Sequence, residues 1–137
     1  MRIASTVVLA SLLMACSASG IPAEGTMCEA ARSLSAAKTL VEQAAAKDAS
    51  GDKAGAQDLA NAAFAHTTEA HDALQGITSS EVKRGATWQA LLDADLHIAQ
   101  AAAALLPAYD SYGMTAEELA AGAKSLQMAG LLSQDAC

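Results

Sequence analysis

Aromatic side chains are almost missing from this chain: one Trp, one Phe and two Tyr occur among 137 residues. That scarcity excludes a stacking platform for nucleotide bases or sugar rings, which needs several exposed rings. Cations are scarce as well. Eight Lys and Arg stand against 15 Asp and Glu, a formal charge of −7, so the basic surface that holds nucleic acid or anionic lipid headgroups is lacking. Alternating runs of β-branched residues are absent, and no strand is expected. The three cysteines, Cys16, Cys28 and Cys137, form neither CxxC nor CxxCH, which removes the redox and covalent haem motifs. No serine or threonine sits in a nucleophile-elbow context. The expectation is a protein without catalytic activity, cofactor or nucleic-acid partner.

What is present in excess is alanine, at 36 residues. Alanine is the best helix former and buries little area per residue, so closely spaced helices around a thin interior are expected.

The chain opens on Met1 and Arg2, continues through the apolar stretch Ile3 to Met14, and reaches small residues from Ala15 to Ala18. A charged start, a short apolar segment and a small-residue cleavage site make a secretory signal. The stretch is too short for a membrane-spanning helix, which needs about 20 apolar residues. Leu13-Met14-Ala15-Cys16 resembles the lipobox of bacterial lipoproteins. That resemblance implies a signal peptide over 1–15, a lipid (palmitate among its acyl chains) on Cys16, and a mature chain facing the periplasm. Three acyl chains anchor far better than one. Ser17 stands where enteric lipoproteins retained at the inner membrane carry aspartate, which by analogy implies the outer membrane. Ordinary cleavage after Ala18, discarding Cys16, is the competing reading.

Removal of residues 1–15 leaves 122 residues with a formal charge of −8, Arg2 being lost; that is enough for one domain. Residues 16–25 read as a lipidated tether, interrupted by Pro22. The domain over 26–137 divides into four helical segments. The first runs from about Thr26 to Ala49, with Met27, Leu34 and Val41 seven apart and Ala30, Ala37 and Ala44 interleaved, a seam of the coiled-coil type. Ser50-Gly51-Asp52 supplies a terminating glycine and a capping aspartate, and a second helix follows from Lys53 to Gly76. Thr78-Ser79-Ser80-Glu81 fits a capping box opening a third helix that ends near Leu106, before Pro107. A loop with Tyr109 and Tyr112 leads to a second capping box, Thr115 to Glu118, and a fourth helix to Ser133. Short links make this an all-α, up-down-up-down four-helix bundle. Cys28 and Cys137 then lie at the same end and are positioned to form a disulfide in an oxidising compartment.

Two polar residues fall on apolar faces. The second helix is expected to bury Leu59, Ala63, Ala70, Ala73 and Ile77, with His66 inside that stripe. The third is expected to bury Trp88, Leu92, Ala99, Ala102 and Leu106, with Asp95 in the middle. A carboxylate in an apolar interior is costly unless paired, and a turn centred on Thr78 and Ser79 brings His66 near Asp95. That pair reads first as a device fixing helix register, and second as a small site for a metal or other ligand. His66, Glu69, His71, Asp93, Asp95 and His97 all carry ligand-type groups, but they miss the Glu-x-x-His template of di-iron bundles, so no metal is expected and Glu69 and His97 are read as solvated. Met27 could serve as a haem ligand, yet the fourth helix has no histidine to complete the pair. The leading reading is a lipid-anchored envelope protein acting as an interaction or accessory module, held to the membrane by its lipid and contacting another envelope protein.

Overall fold

The computed structural model describes residues 22–106 and 115–130. They form five helices: α1 (Pro22–Ala49), α2 (Lys53–Gly76), α3 (Ser80–Arg84), α4 (Ala86–Ala103) and α5 (Thr115–Met128). No strand occurs among the described residues, and the fold is all-α. None of these helices is long and apolar enough to cross a membrane.

The α1–α2 turn forms for local reasons. Gly51 takes φ of +88°, a backbone region open to glycine without strain. Around it the Asp52 amide donates to the Lys47 carbonyl (3.0 Å) and the Gly51 amide to that of Asp48 (3.1 Å), the Schellman arrangement that satisfies the last carbonyls of a helix. Asp52 then caps α2, its carboxylate accepting from the Gly55 amide at 2.9 Å. That bond, with Lys47 beside it, holds the Asp52 carboxyl below the usual carboxylate range.

α1 packs most extensively on α2, and α4 on α5; α4 also meets α2 and α1, and α5 meets α1. Of the expected α1 seam, Ala30, Leu34, Ala37, Val41 and Ala44 are buried, and Met27 is half-buried. Alanine dominates the interior, and its largest fully buried side chains are Leu34, Leu74, Leu91, Ile98, Leu126, Val41 and Thr67. α4 and α5 approach closely at Gly122, where an added Cβ would lie 2.7 Å from the Ile98 Cγ1.

Several boundaries differ from expectation. α1 begins at Pro22, so residues 22–25, assigned to the tether, are helical; proline's fixed φ suits a first helical position. Ser79 rather than Thr78 is the next cap, accepting from the Val82 amide at 3.3 Å. The third helix is not continuous. Gly85 takes an extended ψ of 149°, splitting off α3 as a five-residue piece of the connection. Beyond the break, the Trp88 indole donates to the Leu74 carbonyl at 3.0 Å, tying the start of α4 to the last turn of α2. α5 stops at Met128 because Gly130 turns to φ of +67°. Cys16, Cys137, and the loop carrying Tyr109 and Tyr112 lie outside the described residues.

The expected faces of α2 and α4 are rotated only in part: Ala63, Ala70, Ile77 and Ala102 are buried as expected. α2 buries Ala56, Ala60, Ala63, Thr67, Ala70 and Leu74, leaving Leu59 and Ala73 half-buried. α4 buries Leu91, Ala94, Asp95, Ile98, Ala101 and Ala102, leaving Trp88, Leu92 and Ala99 half-buried. Trp88 explains part of the shift, since its indole bond holds the ring at the margin rather than in the interior.

Candidate functional site

Asp95 is the one carboxylate in the interior of the described residues. Its side chain is 9 % exposed, and its Oδ2 lies 3.0 Å from the Nδ1 of His71, which is 50 % exposed. The Oδ1 has no hydrogen-bond partner among the described residues. The pair opens on a shallow cleft of about 180 Å³ between α2 and α4, lined by Phe64, Thr67, Thr68, His71, Asp95 and Ala99. The two threonine hydroxyls are turned back on their own helix, donating to the Phe64 carbonyl at 2.7 and 3.0 Å.

The expected pairing of His66 with Asp95 is not made. His66 sits 3.8 Å from Glu69 on its own helix, 40 % exposed. Two physical reasons apply. His71 lies about 140° round the helix from His66 at about 100° per residue, which puts it on the side of α2 that meets α4. Inserting α3 into the connection also carries the fold-back point past Thr78 and Ser79, so a residue nearer the end of α2 comes opposite Asp95. The burial of Asp95 itself is as expected.

Burial pushes the Asp95 carboxyl above the usual aspartate range; His71 opposes the shift, and the charge of Asp72 adds to it. Folding therefore favours the neutral acid. The stabilising contribution is complete below the usual value of about 3.9 and is lost as pH rises through the higher value of the folded state. Asp95→Asn, which cannot ionise, is expected to raise stability by about 1–2 kcal/mol at pH 8, with the gain shrinking towards pH 4. Urea titrations of both proteins across that range check it; a gain that grows towards low pH would reverse the sign.

A second polar cluster joins α4 to α5. The His97 Nδ1 lies 2.5 Å from the Glu118 Oε2 and its Nε2 lies 3.5 Å from the Asp93 Oδ1, while the Ser125 hydroxyl donates to the other Asp93 oxygen. The sequence reading of His97 as solvated is corrected: it is 27 % exposed. Glu118, expected in a capping box, is engaged by His97 instead. Each nitrogen of His97 takes its own carboxylate, so the groups do not converge on a point, and no cluster that could hold a metal ion occurs among the described residues. Glu69 is exposed as expected.

No protein-family model, curated protein or solved structure matches the chain.

Proposed function

We propose that this chain is a lipid-anchored, periplasm-facing module of the cell envelope, seated at the outer membrane, that acts by contacting another envelope protein rather than by catalysis. The observation that carries the reading is the Leu13-Met14-Ala15-Cys16 sequence so close to a helical body. α1 begins six residues after Cys16, and an extended stretch of that length spans at most about 20 Å. An acyl group on Cys16 therefore keeps the body within reach of whatever lies in or on the same membrane.

The body is proposed to be an up-down-up-down bundle of α1, α2, α4 and α5. The close α1–α2 and α4–α5 pairs, and the packing of α4 on α2 and of α5 on α1, support it. In that arrangement the end of α5 returns to the start of α1, where Cys28 stands half-buried, and a Cys28–Cys137 disulfide closes the two ends of the domain.

Labelling with a palmitate analogue tests the anchor. The wild-type chain is expected to take up label and sediment with outer membranes, and Cys16→Ala to lose both properties. A mature chain whose N-terminus begins unmodified beyond Cys16 would remove the anchor. A second reading, a small ligand site, is favoured by the orphaned Asp95 oxygen, with His71 in the place that the sequence pattern suggests for His66.

A further inference from the structure

α4 carries a second apolar strip beside its buried face. Trp88, Leu92, Leu96, Ala99 and Ala103 recur at three- and four-residue spacing and so share one side of the helix. Leu96 is 53 % exposed and the other four are half-buried. The strip borders the α2–α4 cleft, because Ala99 lines it together with Asp95 and, from α2, Phe64, Thr68 and His71. The Asp95 side chain, which lines that cleft, is more than nine-tenths buried, and its Oδ1, itself closed off from solvent, lacks a partner among the described residues.

Apart from His71, no cationic side chain pairs with this carboxylate among the described residues. No Lys or Arg lies between Lys53 and Lys83, or between Arg84 and Lys124. Beyond its first residue α2 has no permanent positive charge, and α4 has none at all; His71 is already committed to the other oxygen of Asp95. The space, about 180 Å³, falls below the roughly 300–1,000 Å³ of sites for drug-sized molecules and matches a single side chain better.

We propose that the α2–α4 groove docks a basic amphipathic helix of an envelope partner, with its apolar face on the α4 strip and one lysine or arginine inserted against Asp95. This rests on the reading of the chain as an interaction module and names the surface through which it acts. Helix-in-groove docking draws its area from apolar residues spaced by turns of the partner helix. A desolvated charge at the centre supplies the anchor and the selectivity. Burial leaves the Asp95 carboxyl short of compensation, and an incoming cation supplies it.

The test uses the full chain in nanodiscs of neutral lipid, with empty discs as the blank. The probe is a fluorescent 18-residue peptide of Leu, Ala and Gln, with a helical leucine stripe broken by one central arginine, followed by anisotropy. Saturable binding is expected, weakened at least tenfold by Asp95→Asn, by Leu96→Asp, or by glutamine in place of the peptide's arginine. Asp58→Asn, an exposed site near the other end of α2, is expected to bind as the wild type does. Absence of saturable binding, or equal binding by Asp95→Asn, overturns the proposal. A chain that is acylated yet fails this titration loses the groove and keeps the anchor; an unacylated chain that binds the peptide in the same way in solution, without discs, does the reverse.

Discussion

Replacing Cys28 by serine is expected to lower stability by about 4–5 kcal/mol, the stabilisation assigned to closing a loop of about 100 residues in the chain-entropy model. The proposed bond to Cys137 closes a loop of 109 residues, which joins the first turns of α1 to the chain beyond α5. The loss arises in the unfolded ensemble, which gains the freedom of an open chain, while the packing of α1 on α2 is left as it was. Urea unfolding of the wild type, Cys28→Ser, Cys137→Ser and the double variant measures it. The three variants should coincide, and a thiol reductant should bring the wild type down to them and leave them unmoved. A Cys28→Ser protein as stable as the wild type would show that the bond is absent or strained enough to contribute nothing.

Strong local signals make parts of the fold legible in the amino-acid sequence alone. Ser50-Gly51-Asp52 specifies the α1–α2 turn through a positive φ and a side-chain cap, and these act within a few residues. The α1 seam is legible because Leu34 and Val41 stand out against alanine. Neither condition holds around α3. A glycine inside a helix costs only about 1 kcal/mol, so Gly85 reads equally well as a tolerated residue or as a break. What decides is the bond from the Trp88 indole to the Leu74 carbonyl, a contact between two helices that no local pattern announces. Alanine adds a second ambiguity. A methyl side chain fits a buried face and an exposed one, so on α2, where most of the core residues are alanines, the apolar face can be drawn about one position off without conflict.

The candidate site inherits both uncertainties. Asp95 is recognisable from sequence alone because a carboxylate breaks an apolar stripe. Its partner is not, because the choice between His66 and His71 depends on the rotation of α2 and on the length of the connection through α3. The link between His97 and Glu118 is hidden for another reason. Glu118 sits three residues into a segment that reads as a capping box, a local role that competes with the contact across to α4.

Leu91→Ala is expected to cost about 4 kcal/mol, in the upper half of the 2–5 kcal/mol seen when a buried leucine is cut to alanine. Leu91 is fully buried, in a core where nine of the seventeen clustered buried side chains are alanines. A methyl group has no side-chain torsion with which to swing into empty space, so the cavity stays open and its lining forfeits contacts. Leu96→Ala, at a 53 % exposed site, should change stability by less than about 0.5 kcal/mol. Denaturant midpoints at constant m-value read both changes, and a loss at Leu91 no greater than that at Leu96 would mean the interior repacks freely. The effects of Leu91→Ala and Cys28→Ser should add, because one acts on native packing and the other on the open chain. Their combined loss of about 8–9 kcal/mol falls within the whole stability of an ordinary domain, about 5–15 kcal/mol. A double variant that still unfolds cooperatively at high urea would therefore count against either the sulfur clasp or the thinness of the core, and the two single variants identify which.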